Sequence, residues 1–298
     1  MFCRGFSLAA PRTCRTQGRA SSLFGPPRSP GTVRVYLTAF GCAVRRYSTY
    51  RAATFAGVVT NSVFGLINAM VLLALFEARP QINGYDATDA VTQVFVAQAV
   101  IGPIAIFGPP LDLSERIRTG EVAVDLLRPV HPVLWWLATD LGRAAFSTVF
   151  RSVPTFAVGM AAFELALPAD PLRWVAVAAA FALAVLVGFA LRYLYALAGF
   201  WLMDTRGVHA VVFLLAPFCA GHLLPLTLFP EALAGVLRVL PWASLVQVPA
   251  EILLGKDSLP GGSTLGGLCF QAAWAAALLA LGAVLTARAT RRVVVQGG

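Results

Sequence analysis

The sequence predicts an all-α membrane protein: six transmembrane helices, an N-terminal interfacial helix, and a re-entrant or interfacial helical pair between the fifth and sixth spans. Three observations predict it. Of 298 residues, 58% are hydrophobic and 12% charged, against about 25% charged in an average soluble domain, and mean hydropathy is +0.75. Apolar runs recur at the length of about 20 helical residues that matches a hydrocarbon core of about 30 Å, and they do not alternate as barrel strands would. Basic residues also divide unequally between alternate loops, as orientation in a bilayer requires.

Taken in order, residues 1–32 hold five arginines (Arg4, Arg12, Arg15, Arg19 and Arg28) and no acid. They read as a disordered basic leader, or as sequence upstream of the true start; no long apolar run or cleavage site supports a secretory signal. From Val33 to Tyr50, apolar residues mix with Arg34, Arg45 and Arg46, as in a helix lying in the interface. The first span is expected over about 52–76. Gly57, Asn61, Gly65 and Asn68 share one face there, which suits either helix packing or the lining of a translocation path. The second span, about 90–107, carries Gln93 and Gln98 and is bent or ended by Gly102-Pro103 and Gly108-Pro109. The third is expected over about 144–167 and returns through Pro168-Ala-Asp-Pro171; the fourth covers about 172–202. Arg151 and Arg192 are the basic residues inside these spans, and each either snorkels to the headgroups or serves as a counter-ion. The fifth, about 207–229, is broken toward its outer end by Pro217, His222, Pro225 and Pro230. Two apolar pieces around 233–240 and 245–254 are too short to cross, and the last span is expected over about 265–287.

With both termini in the cytoplasm, 17 basic residues fall inside, against Arg79, Arg173, Arg238 and Lys256 outside. Without the leader arginines the inside count is 12, so the orientation does not hang on the leader. This asymmetry accounts for the +9 charge without nucleic acid as a partner. The five cysteines lack CxxC spacing, and His131, His209 and His222 stand apart from carboxylates or thiols at ligand or triad spacing. No metal site or catalytic constellation is therefore expected. Gly255-Lys256 is followed by Asp257, not by the Ser or Thr of a phosphate-binding loop. No acid falls in the expected middle of a span, which argues against a proton-coupled carrier.

Between the second and third spans lies a charged island, with Asp112, Glu115, Arg116, Arg118, Glu121, Asp125 and Arg128 inside seventeen residues. Charge at mid-bilayer costs about 2.5 to 3.5 kcal/mol per residue on the insertion scale, so the island lies in water or at the interface. Leu113, Ile117, Val124 and Leu127 would share one face of a helix through it, unless Gly120 interrupts. It reads as a docking element, with an ordinary solvated loop as the alternative.

The run Thr119-Gly-Glu-Val-Ala-Val-Asp-Leu-Leu-Arg-Pro-Val130 resembles the "sGe…LLRPv" signature of ABC-2 type exporter permeases, in the antibiotic-transport-like branch. Gly199-Phe-Trp-Leu-Met-Asp204, Ala220-Gly-His-Leu-Leu-Pro-Leu-Thr-Leu-Phe-Pro230, Leu240-Pro-Trp242 and Val248-Pro249 continue the similarity in order, with His222 as a departure. The resemblance implies an ABC-2 type transmembrane domain over residues 33–298 that dimerises with itself or a homologous permease. It implies a separate ABC ATPase subunit that carries ATP and magnesium, leaving no cofactor on this chain. In such permeases the loop after the second span receives the ATPase motion, which carries over to Glu115, Arg116, Gly120, Glu121, Leu127, Arg128 and Pro129. Asn61, Asn68, Gln93, Gln98, Arg192 and His222 are candidates for a translocation path or for helix packing. The expected function is ATP-driven export of a hydrophobic or amphipathic small molecule across the plasma membrane. An ion-coupled carrier and a non-transporting assembly protein are the alternatives.

Overall fold

The computed structural model describes residues 32–290 apart from 106, 109, 110, 129, 203, 204, 257 and 259. The basic leader, Pro129 and Arg291-Arg292 thus lie outside the described residues. Those described are helical or irregular; a lone bridge, Ile82 to Tyr85, is the single extended pairing among them. That bridge closes a turn in which Asn83 and Gly84 both take positive φ, 49° and 79°, the conformation that Asn-Gly adopts most readily.

Helix α1 (Thr32–Ser48) lies along α6 (Pro132–Ser147). They approach closely because Gly142 has no side chain, and a Cβ there would overlap the carbonyl of Phe40. Helix α2 (Arg51–Ala78) buries Asn61, Ser62, Gly65 and Ala69 against α3 (Ala87–Ile104). The start of α3 is set by a capping box in which Asp86 and Asp89 each accept the other's backbone N–H, at 2.8 and 3.2 Å.

The third apolar segment departs from expectation. Helix runs from Pro132 to Ala162, through α6, a π turn over Thr148–Ser152 and α7 (Val153–Ala162). It starts twelve residues before the expected 144 because Asp140 and Arg143, which make the segment look aqueous, neutralise each other inside the bundle. The π turn precedes Pro154, which cannot donate to a carbonyl one turn back, so the ladder widens there. The helix ends at Ala162 rather than 167, and the following strap is held by the Ala166 N–H donating to Thr92 Oγ1 at 2.8 Å.

Helix α8 (Pro171–Leu197), capped by the Asp170 carboxylate on the Leu172 N–H, continues into α9 (Gly199–Leu202). Helix α10 (Arg206–Cys219) is short and stops where Gly221 takes φ of 73°; the remainder of the expected fifth span is loop and a 3-10 turn. Then come α11 (Glu231–Val239), a 3-10 turn over Pro241–Ser244, α12 (Gln247–Leu254) and α13 (Thr264–Thr290). Every residue from Ala243 to Leu253 is buried, and α12 is wedged between α3 and α8.

By length and composition, Arg51–Ala78, Ala87–Ile104, Pro171–Leu202 and Thr264–Thr290 can each cross a bilayer. Their burial differs sharply: 83% for the α3 window against 28% for α2 and 22% for α13. So α3 is the axis of the bundle, while α2 and α13 turn apolar side chains outward. Interhelical hydrogen bonds such as Ser152 Oγ to the Ala99 carbonyl (2.6 Å) and Gln271 to the carbonyls of Ala180 (3.1 Å) and Ser244 (2.8 Å) cross the core. Each contributes about 0.6 kcal/mol in a membrane setting, so close packing of small residues carries most of the association.

Candidate functional site: a charged tongue between two buried polar networks

The charged island folds into a helical tongue, α4 (Asp112–Thr119) followed by α5 (Val122–Leu126). Asp112 and Glu115 sit in the first turn of α4 and Arg116 and Arg118 in its last turn, the arrangement that complements the helix dipole. Gly120 ends α4 with φ of 79°, a left-handed position that a residue with a Cβ enters only at a cost. The tongue is clamped from within. The Arg116 guanidinium grips Asp125 through both Nε and Nη2 (the second at 3.0 Å) and lies 3.4 Å from Glu121. Arg128 reaches Asp125 at 3.3 Å and covers the Trp135 ring at 4.8 Å. Arg46 of α1 bonds Asp112 at 2.6 Å, and the guanidinium of Arg118, hydrogen-bonded to Glu115, holds that carboxyl below its usual range.

The tongue's apolar residues do not form the single face expected. Leu113 and Val122 are buried with Trp136 of α6 and with Tyr193 and Leu197 at the end of α8, and Ile117 packs over Gly199, where a Cβ would lie 3.3 Å from its methyl. Val124 and Leu127 point away, and Leu127 is 84% exposed. The cause is Gly120, whose left-handed turn rotates α5 relative to α4 so that Val122 takes the inward position. Of the residues carried over from the resemblance, Glu115, Gly120, Glu121, Leu127 and Arg128 are exposed, and Arg116 is a half-buried internal clamp. Pro129 lies outside the described residues.

Beneath the tongue, α3, α6 and α8 meet at a buried carboxylate. Asp140 accepts from Arg143 Nε at 2.8 Å and from Arg192 Nη2 and Nη1 at 2.6 and 3.1 Å. Arg143 also donates to the carbonyls of Gly102 and Pro103, both at 2.6 Å, and so satisfies acceptors at the end of α3 that no helical turn follows. Arg192 therefore neither snorkels nor stands as a lone counter-ion. The expected third span, beginning at about 144, leaves Asp140 and Arg143 outside it; the signal that could have found them is an Asp-x-x-Arg pair, one turn apart, on a helix otherwise apolar.

At the opposite end of α3 a second network surrounds Gln247. Its Oε1 accepts from Gln93 Nε2 at 2.7 Å and from the Leu226 N–H at 3.0 Å; its Nε2 donates to Glu251 at 2.8 Å and to the Tyr85 hydroxyl at 3.4 Å. Glu251 also accepts from Ser258 at 2.8 Å and lies 3.6 Å from Arg238. Lys256 pairs with Asp89 and donates to the Gly84 carbonyl at 2.9 Å. These contacts join α3, the Asn83-Gly84 turn, α11 and α12.

A model built for ABC-2 family transporter proteins matches residues 63–297, covering most of the helical bundle. This chain belongs to the ABC-2 family. A comparison with curated proteins gave no match. The protein is accordingly a multi-pass membrane permease of an ABC transporter, a transport subunit of a kind generally without enzymatic activity.

Within the permease, the residues proposed for a path or for packing fall into separate settings. Asn61 donates to the Gln98 carbonyl at 3.2 Å, so it and Gln98 belong to the α2–α3 contact; Asn68 is half-buried on the same helix. Gln93 belongs to the Gln247 network and Arg192 to the Asp140 cluster, at opposite ends of the bundle. His222 is buried with its ring edge against Phe107, 5.1 Å between centroids, and its Nδ1 has no partner among the described residues. Glu251 and Gln247 were missed by sequence reasoning, since their polar character appeared ordinary in a segment read as interfacial. Among the described residues, no group of three His, Cys, Asp or Glu side chains is placed to hold a metal. A cavity of about 460 Å³ opens between α1, α2, the end of α3 and α6, next to the Asp140 cluster.

Proposed function

We propose that this permease is the membrane subunit of an ATP-driven exporter, and that the α4–α5 tongue receives the motion of a separate ABC ATPase. The observation that carries the reading is the combination of a rigid tongue with an exposed tip. Internal ion pairs hold its shape, Leu113 and Val122 lock it to α8, and Glu115, Glu121 and the 84%-exposed Leu127 are left facing outward. A rigid lever transmits displacement, and an isolated apolar residue rimmed by charge is the pattern of a small docking surface. Pro129, next along the chain, is assigned to the same interface.

In this scheme the chain crosses the plasma membrane six times with both termini in the cytoplasm. The Pro132–Ala162 helix and the segment beginning with α10 supply the third and fifth crossings. The segment from α11 to α12, braced by the Gln247 network, forms the gate at the far side. A second copy or a homologous permease covers the apolar face of α10, which displays Val211, Phe213 and Leu214. A hydrophobic or amphipathic small molecule passes between the two permeases, with ATP and magnesium on the partner and no cofactor on this chain. Asn68 and His222 are the polar residues best placed to line that route, because neither is consumed by the networks.

The test is co-purification of the permease with its ATPase. Wild type retains the ATPase, Leu127→Asp releases it without disturbing an internal contact of the tongue, and the double reversal Glu121→Arg with Arg128→Glu releases it as well. Retention of the ATPase and of substrate-stimulated hydrolysis by both variants would disprove the docking assignment.

A further inference from the structure

We infer that the cavity between α1, α2, the end of α3 and α6 is a binding site for the phosphate of an anionic membrane lipid, with Arg151 as its principal ligand. The first reason is charge. The cavity wall carries Arg46, Arg143, Arg151 and Arg192 against Asp112 and Asp140, a formal excess of two positive charges. Arg46 is paired with Asp112, and Asp140 is shared by Arg143 and Arg192. Arg151 has no carboxylate within ion-pairing distance among the described residues, and its buried Nε has no hydrogen-bond acceptor. An arginine does not shed its proton to relieve this, so in a low-dielectric wall the guanidinium calls for an anion.

The second reason is that the slot is built. The guanidinium occupies the space that a side chain at Gly57 would fill, with a Cβ there only 2.6 Å from Arg151 Cζ. On the α3 side a Cβ at Gly102 would lie 3.5 Å from Arg151 Cδ. Arg151 itself stands on the π turn, a distortion that re-aims side chains and recurs at functional sites. Two glycines and a bulge therefore converge on one side chain whose buried Nε donor is unused.

The third reason decides the source of the phosphate. The cavity wall beside the first turn of α2 includes Tyr47 and Tyr50, aromatic residues of the kind found at headgroup level. Beyond them α2 turns Phe55 and Val59 outward, and Ile101, Phe107 and Phe146 make the rest of the wall apolar. A guanidinium fork suited to phosphate oxygens, tyrosine hydroxyls in the wall and an apolar exit suit an amphiphile better than a free ion. A volume of about 460 Å³ accommodates a glycerophosphate headgroup. The net charge of two selects anionic over zwitterionic lipid.

The experiment is native mass spectrometry of the full-length permease released from mixed micelles. Phosphatidylglycerol, phosphatidylcholine and inorganic phosphate are titrated separately and in competition. Phosphatidylglycerol is expected to bind about ten-fold tighter than phosphatidylcholine, the order of one charge-assisted contact. Arg151→Gln should abolish that preference, and Arg79→Gln, at the other end of α2, should leave it unchanged. Gly57→Ala keeps every charge but displaces the guanidinium, and should weaken the preference several-fold; it carries the test if Arg151→Gln fails to fold. Equal binding of the two lipids by wild type, an undiminished preference in Arg151→Gln or, failing that, in Gly57→Ala, or displacement of the lipid by millimolar inorganic phosphate would each overturn the assignment.

Discussion

Replacing Asp140 with asparagine removes the charge that two buried arginines share while leaving the shape of the side chain almost unchanged. Arg143 retains the carbonyls of Gly102 and Pro103, but Arg192 is left with the Gly188 carbonyl at 3.3 Å and no anion. Breaking one buried pair by removal of a partner costs about 3 to 5 kcal/mol. The two pairs here share one carboxylate, so the cost is that of one cluster and not of two independent bridges. At about 2 to 4 °C per kcal/mol for a domain of this size, the midpoint of thermal unfolding in detergent should fall by about 6 to 20 °C, followed by intrinsic tryptophan emission. Thr139→Ala is the comparison, because that hydroxyl bonds only the Trp135 carbonyl one turn back, at 3.0 Å. Combining Asp140→Asn with Arg192→Met should cost less than the sum of the single changes. If Asp140→Asn lowers the midpoint no further than Thr139→Ala, the cluster does not hold α3, α6 and α8 together and the argument for it fails.

Other expectations can be checked in the same preparation. Gly120→Ala meets open space, since no atom lies within 4 Å of the added Cβ, so its cost is the left-handed backbone alone, about 1 to 2 kcal/mol; thermal unfolding reads the loss, and the ATPase should bind less well because α5 is re-aimed. Gln247→Leu strands the Leu226 N–H, leaves the Gln93 amide only the Gly221 carbonyl at 3.3 Å, and removes one bond to Glu251. At about 1 to 3 kcal/mol per stranded group, it should be among the most destabilising substitutions at that end of the bundle, with faster hydrogen exchange in α12 as the local readout.

How much of this architecture the sequence discloses depends on which force governs each element. The helices α2, α8 and α13 lie within a few residues of where hydropathy put them, because an apolar run of that length has little alternative to helix in a bilayer. The failure at α6 is instructive. Asp140 and Arg143 look aqueous by composition, yet they pair with each other inside the bundle, and Asp140 also takes up Arg192, fifty-two residues away. The tongue shows the same division: its charges are plain in the sequence, as is Gly120 as the point where a shared apolar face could break, but only the fold shows that it breaks there and leaves Val124 and Leu127 facing away.

By itself, then, the sequence determined that the chain is helical, membrane-borne and interrupted by one strongly charged loop, since length, hydropathy and the side-chain period are local properties. The tertiary structure alone decided which charges are buried and which are free. Asp140 becomes a core residue, Leu127 an exposed tip and Arg151 a cation with no carboxylate partner among the described residues, and each outcome follows from what neighbouring helices bring near: a charge is costly or harmless according to its partners, and partners distant in sequence are chosen by packing.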